Sequence, residues 1–204
     1  NTKVCAVVKA DGYGHGATAI AQALDDTVDF FAVATVSEAV DLRAGAVKKP
    51  ILILGYAWPE DYEELIEKDV RFTVFKEKDA KELSELGERM GKKALIHIKV
   101  DTGMNRIGFP VDDEAVETVR RIRTLPGVEV EGIFTHFARA DEEDKTYAYE
   151  QLRLFQDFIR RVEKDADRIP IHHCANSAAS MEMPEAFMDM VRLGIAMYGL
   201  YPSD

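Results

Sequence analysis

The chain has 204 residues, and its 26 Lys and Arg against 37 Asp and Glu give a formal net charge of −11, a balance that argues against nucleic acid or an anionic membrane surface as main partner. With 47% hydrophobic and 31% charged residues it has the make-up of a folded globular chain rather than a disordered one. The longest apolar stretch, residues 50–58 (PILILGYAW), falls far short of the roughly 18 residues a membrane span needs, and two cysteines, Cys5 and Cys174, are too few for a disulfide framework, which favours a reducing, cytoplasmic setting.

The sequence has no Met start, runs straight into an apolar segment at 4–8 and stops just after another, so it is read as part of something longer. Strand signals follow at 4–8, 30–34, 51–55, 72–75, 94–100, 128–135, 169–173 and 190–196. Each is short, apolar on both faces or nearly so, and bounded by Gly, Pro or acidic residues, as strands buried between two layers are. Helical patterns lie between them at 17–24, 37–44, 61–68, 77–90, 112–123 and 145–165. In the last, Leu152, Phe155, Ile159 and Val162 recur at three- and four-residue spacing and form one apolar stripe. No Pro/Ser-rich linker or low-complexity stretch interrupts the series, so residues 1–204 are expected to form one domain. Eight strands alternating with helices predict a (β/α)8 TIM-type barrel, with a doubly wound sheet as the rival topology. A barrel typically needs about 250 residues, so this one is expected to be truncated, short of the helix between the eighth strand and the first.

Barrel chemistry collects at the carboxyl ends of the strands. After strand one comes Lys9, followed by Gly12, Gly14 and Gly16 alternating with Tyr13 and His15. A lysine at the rim of an apolar core can lose its proton and attack a carbonyl to form a Schiff base, or it can simply snorkel out of the barrel mouth. The glycine spacing is not the dinucleotide fingerprint. Strand seven ends at His173 and leads to Asn176 and Ser177, while strand eight carries Arg192 and then Gly194-Ile195. A hydroxyl and backbone amides at these two ends suit a phosphate, although by themselves they are better explained by ordinary loop capping. His172 and His173 are adjacent and face opposite ways on a strand, so they do not form a metal site; one of them is expected inside the barrel. Cys174 is expected to pack as a small apolar group.

At these residues the chain resembles the alanine racemase family, pyridoxal-phosphate barrels of fold type III. The segments that carry the resemblance are 6–16 (AVVKADGYGHG), 35–43 (TVSEAVDLR), 50–55 (PILILG), 97–108 (HIKVDTGMNRIG), 132–140 (GIFTHFARA), 173–180 (HCANSAAS) and 190–200 (MVRLGIAMYGL), in order and over essentially the whole chain. The resemblance implies that Lys9 carries pyridoxal 5'-phosphate as a Schiff base and serves as one of two catalytic bases. Tyr13, Ser177, Gly194 and Ile195 match positions that hold the phosphate. Arg192 matches the arginine facing the pyridine nitrogen, with His173 behind it. Arg106 matches an arginine near the substrate carboxylate, Lys99 a lysine carbamylated in some members, and His136 and Asn176 residues lining the ring. One departure is local: Asp11-Gly12 stands where Asn/Asp-Ala is usual, and Gly12 is expected to loosen that loop slightly.

The implied activity is interconversion of L- and D-alanine by two bases, which supplies D-alanine for peptidoglycan. In the family the second base is a tyrosine from a C-terminal β-domain of the partner subunit in a homodimer. This chain stops before such a domain, and the family's first helix also has no match, so by itself it is expected to turn over negligibly. A serine or broad-specificity racemase is the nearest alternative, one variant of which carries an upstream membrane segment. A non-catalytic pyridoxal-phosphate-binding barrel is the alternative of another class, although such proteins lack the HIKVDTGMNRIG segment.

Overall fold

The computed structural model describes residues 2–202. Eight parallel strands, β1 (Lys3–Val7), β2 (Phe30–Val33), β3 (Ile51–Ile53), β4 (Val70–Val74), β5 (Ala94–Lys99), β6 (Val128–Phe134), β7 (Ile171–His173) and β8 (Met190–Leu193), follow the order β7-β6-β5-β4-β3-β2-β1-β8. That order is the unrolled form of a (β/α)8 barrel. Its two ends meet at a seam without a regular ladder, where Asp189 N donates to His172 O and Arg192 N donates to Ala175 O, each at 3.0 Å. The barrel is therefore nearly closed, and the doubly wound alternative is set aside.

The strands begin and end for local reasons. β7 starts at Ile171 rather than 169 because Pro170 has no N–H to give a ladder. β8 stops at Leu193 because Gly194 (φ −106°, ψ −108°) leaves the extended region, and a single 3₁₀ turn, Ile195–Tyr198, follows. β4 begins two residues earlier than the apolar run indicated, at Val70, and so takes in the charged Arg71.

Helices Ala17–Leu24 and Glu77–Met90 have the expected bounds. Val36–Ala44 opens on a capping box, with Thr35 and Glu38 bonding each other's backbone amides. Asp112 caps Asp113–Ile122 by accepting from Ala115 N at 2.7 Å, and Val116, Val119 and Ile122 face the barrel. In Thr146–Glu163 the buried stripe includes Leu152, Phe155, Ile159 and Val162, as the periodicity requires. Tyr62–Glu67 is entered through a Pro59–Asp61 turn. The sequence reading missed a short helix between β7 and β8, Ser177–Glu182; its signal was Asn176, whose side chain accepts from Ala179 N at 3.0 Å as an N-cap. Among the described residues no helix is long and apolar enough to cross a membrane.

The outer faces of the strands and the inner faces of the helices form one apolar core, in which Phe31, Ile51, Ile53, Ile96 and Ile98 are fully buried. The barrel interior is divided. Cys5, Val7, Phe30, Ala32, Leu52, Ile171 and Met190 make an apolar lining on one side. Toward β4, β5 and β6 the inward side chains are Arg71, His97, Lys99 and Glu131, in place of the branched aliphatic layers usual in such barrels.

Candidate active site

The carboxyl ends of the strands open on a cavity of about 600 Å³. Lys9 enters it directly from β1, because Val7 and Val8 are tied into the barrel and the next side chain emerges at the rim. The four residues that follow, Ala10, Asp11, Gly12 and Tyr13, are all left-handed, with φ of 51°, 51°, 61° and 53°. Such a conformation costs roughly 1–2 kcal/mol per non-glycine residue, so the turn must be held from outside. The Glu38 carboxylate does much of this, accepting from Ala10 N (2.7 Å), Ala34 N (2.7 Å) and Thr35 N (3.1 Å). Asp11 Oδ1 accepts from Ala17 N at 2.8 Å and fastens the other end. Gly12 suits the turn rather than loosening it, since its φ is 61° and a Cβ there would sit 3.2 Å from Ala17 N.

The turn sends Tyr13 across to the end of β8. A Cβ at Gly194 would lie 2.7 Å from the Tyr13 hydroxyl and 3.7 Å from Ser177 Oγ, so only glycine lets these groups converge. Ser177 Oγ accepts from Gly194 N at 3.0 Å and from Ala196 N at 3.3 Å. The Gly194 amide, which the sequence suggested would be open to a phosphate, is instead satisfied by Ser177. Ile195 and Asn176 line the same cavity. Two hydroxyls beside the Gly194–Ala196 backbone form a compact cradle for a small oxyanion.

Lys9, Lys99, Arg106 and Arg192 all line the cavity, against the single carboxylate of Asp141 among the described lining residues. In a chain of net charge −11 this is a local reversal of sign. Its effect is visible on His136, which burial, reinforced by the cations Arg192, Arg106, Lys99 and Lys9, pushes down to about 3 and keeps neutral. Lys99 is 2% exposed, donates to Val100 O (2.7 Å) and Ile107 O (3.1 Å), and is pushed down to about 7 by burial, with Arg192 and Arg106 adding repulsion. Arg106 lies at the exposed side of the cavity.

Arg192 is buried and makes its bonds to neutral acceptors: Thr135 O (2.9 Å), Cys174 O (3.1 Å), His136 Nδ1 (3.2 Å) and His173 Nδ1 (3.0 Å). Burial lowers it to about 10, which still leaves a cation at neutral pH. The Phe134 ring supports this corner, 5.3 Å from the guanidinium carbon, 5.7 Å from Lys99 Nζ and stacked on His173 at 4.7 Å. Of the paired histidines, His173 faces the barrel interior and His172 faces out to Glu163 at 2.7 Å. Cys174 is buried against Ala186, as a small apolar group would be.

The family described as alanine racemase, N-terminal domain, matches residues 1–202. This chain belongs to that family. Among curated relatives, alanine racemase 2 of Caldanaerobacter subterraneus subsp. tengcongensis is 50% identical over 203 residues, 99% of this chain and 52% of that protein. The alanine racemase of Methanococcus maripaludis is 45% identical over all of this chain and 55% of its own length. Among solved structures, alanine racemase of Clostridium difficile 630 matches with a TM-score of 0.98 at 41% identity, covering 100% of this chain and 56% of that one. Alanine racemase from Bacillus anthracis with bound L-Ala-P matches with a TM-score of 0.92 at 35% identity, over 99% of this chain and 52% of that one. The chain thus spans about half the length of the alanine racemases it matches.

The residues to which the resemblance gave a site role all line this cavity except His173, which lies behind Arg192. Sequence reasoning missed Tyr56, Met104 and Asp141, which complete the wall. It also missed Glu38, which no spacing rule connects to Lys9. Its only signal was its place in the capping box after β2.

Proposed function

We propose that this chain is the cofactor-binding barrel of an alanine racemase that holds pyridoxal phosphate on Lys9 and interconverts L- and D-alanine. The observation that carries the reading is the convergence of Lys9, the Tyr13–Ser177–Gly194 cradle and the donor-only Arg192 on a single cavity lined by four basic side chains. These residues fit the cofactor by chemistry: an amine for its aldehyde, a hydroxyl-and-amide cradle for its phosphate, and a guanidinium for its ring nitrogen.

When bound, the cofactor supplies an electron sink for the pair released as the Cα–H bond breaks. The protein's share is positioning and proton transfer. Lys9 Nζ removes or returns the Cα proton on one face. A second base on the opposite face would come from outside these 204 residues, from the partner subunit of a homodimer. Tyr13, Ser177 and the Ile195 amide would hold the phosphate, with Gly194, whose own amide donates to Ser177 Oγ, leaving the room for it. His136 and Asn176 would flank the ring, and neutral His136 adds no further positive charge there. Arg192 has donors only and keeps its proton, so it would hold a ring nitrogen facing it unprotonated, which would weaken the sink and limit side reactions. Arg106 receives the substrate carboxylate.

Lys99 is proposed to be carbamylated. Its neutral amine nitrogen adds to the carbon of dissolved carbon dioxide and one proton leaves to water, giving an anionic carbamate that fixes Arg106. A lysine brought down to about 7 has the free amine this addition needs.

The test uses the full-length protein. Added pyridoxal phosphate should give a visible absorption band that is lost in Lys9→Ala, and L-alanine should be racemised faster than L-serine. A missing band refutes the cofactor assignment, a band without turnover favours a non-catalytic carrier, and faster serine turnover favours the broader racemase.

A further inference from the structure

A line of charged and imidazole side chains runs through the polar half of the barrel interior. From the cavity downward, Arg192 Nη1 meets His173 Nδ1 at 3.0 Å, His173 Nε2 meets His97 Nδ1 at 2.9 Å, and His97 Nε2 meets Glu131 Oε2 at 3.0 Å. Glu131 also binds Arg71, with Nε at 3.1 Å and Nη2 at 3.3 Å, and Arg71 reaches Asp69 Oδ2 at 2.8 Å, where β4 begins and the Asp69 side chain is exposed.

We propose that Glu131, acting through His97 and His173, is the buried counter-charge and positioning group that holds Arg192 in its place against the ligand. The proposal rests on the reading of Arg192 as the group facing a cofactor ring nitrogen.

Hydrogen counting fixes the direction of the line. A guanidinium has no acceptor, so His173 Nδ1 must accept and its proton must be on Nε2. His97 Nδ1 then accepts from His173, and its own Nε2–H donates to the carboxylate. The reverse arrangement would set an N–H against an N–H at Arg192. Both imidazoles are therefore neutral, in keeping with burial, which lowers His97 and His173 below the ordinary histidine range, while its partners hold Glu131 down to about 2, fully ionised. Charges alternate along the line: plus at Arg192, minus at Glu131, plus at Arg71, minus at Asp69. Among the described residues no carboxylate touches Arg192, so Glu131 is the negative charge linked to it, through the two rings of His173 and His97.

The strands are shaped for this line. The β5–β6 register jumps from Ile96↔Val130 to His97↔Gly132, leaving Glu131 as the extra residue of a bulge. A bulge re-aims a side chain, and here it points Glu131 to the interior. At Gly132 a Cβ would lie 2.4 Å from His97 Nδ1, so the absent side chain makes the room His97 needs. A buried ion pair is weak ground for stability, since apolar replacements are often as stable. Its presence where such barrels usually pack branched aliphatic layers points to a positional task.

The test reads protonation directly in the full-length protein. With 15N-labelled histidine at neutral pH, His97 and His173 should both be neutral with the proton on Nε2. A proton on His173 Nδ1, or an imidazolium at either ring, overturns the proposal. Two variants cut the line below His173. Glu131→Gln removes the charge. His97→Asn keeps an acceptor for His173 Nε2–H but cannot reach Glu131. Each should shift the His173 nitrogen resonances and weaken pyridoxal phosphate binding about tenfold, the size expected for a hydrogen bond to a charged group. If both lower the melting temperature yet leave the His173 resonances and the cofactor affinity within about twofold of wild type, the line is only structural and the proposal fails. Should Glu131→Gln not fold, His97→Asn and the wild-type tautomers decide. Should the wild-type protein take up no cofactor, the function above fails instead, and the tautomers still judge the line.

Discussion

Lys99→Met is the substitution whose effect can be worked furthest. Lys99 is 2% exposed, and burial brings its ammonium group from 10.5 to about 7. Between those values the unfolded chain binds a proton that the folded protein does not, so unfolding takes one up and stability rises with pH through this window. Below about pH 7 the folded lysine is protonated too, and the cost of burying its charge is constant. Each pH unit inside the window is worth about 1.4 kcal/mol, so between roughly pH 7 and pH 9 the wild type should gain on the order of 2 kcal/mol relative to Lys99→Met, allowing for the half-protonated state near pH 7. Met also leaves Val100 O and Ile107 O without their donor, a loss that does not change with pH. Urea unfolding of both proteins, cofactor-free and in carbonate-free buffer, measures the difference. Parallel stability curves across this range would refute the reasoning. Bicarbonate should shrink the difference in wild type and add the mass of one carbon dioxide to Lys99.

Gly194→Ala should place a methyl group 2.7 Å from the Tyr13 hydroxyl. The clash is with the far end of one side chain, so stability should change by about 1 kcal/mol or less while pyridoxal phosphate affinity falls about tenfold in an absorbance titration. Glu38→Gln leaves one acceptor oxygen where three backbone amides converge, and its NH2 faces donors. It should cost about 2 kcal/mol in urea unfolding and speed hydrogen exchange at Ala10; unchanged exchange there would show that the left-handed turn holds itself.

Residues 145–165 reveal their helix from Leu152, Phe155, Ile159 and Val162 alone, because burial on one face repeats with the helix itself. Strand ends are equally legible: once Val7 and Val8 are placed in the barrel, Lys9 must stand at its mouth. What could not be read is whatever depends on pairing between distant strands. Arg71 is a single charge in an apolar run and Glu131 alternates with Glu129, so neither can be told from an outward-facing residue until the early start of β4 and the β5–β6 bulge turn them inward. The left-handed turn was likewise hidden. Ala10 and Asp11 have no local preference for positive φ strong enough to announce it, and the clamp that holds them comes from 28 positions away. The Tyr13–Ser177–Gly194 cradle was anticipated through resemblance, and a φ/ψ break at Gly194 is what assembles it.

The seam between β7 and β8 has one further meaning. Ser177 belongs to the chain leaving β7, Gly194 to the chain leaving β8, and Tyr13 to the chain leaving β1, so the three walls of the cradle stand on both lips of the unlatched joint. An oxyanion bound to all three acts as a rivet driven across the gap. Ligand binding and the tightness of the barrel are then a single equilibrium. Protection of the Arg192 amide, which bonds across the joint to Ala175, becomes a reporter of ligand occupancy.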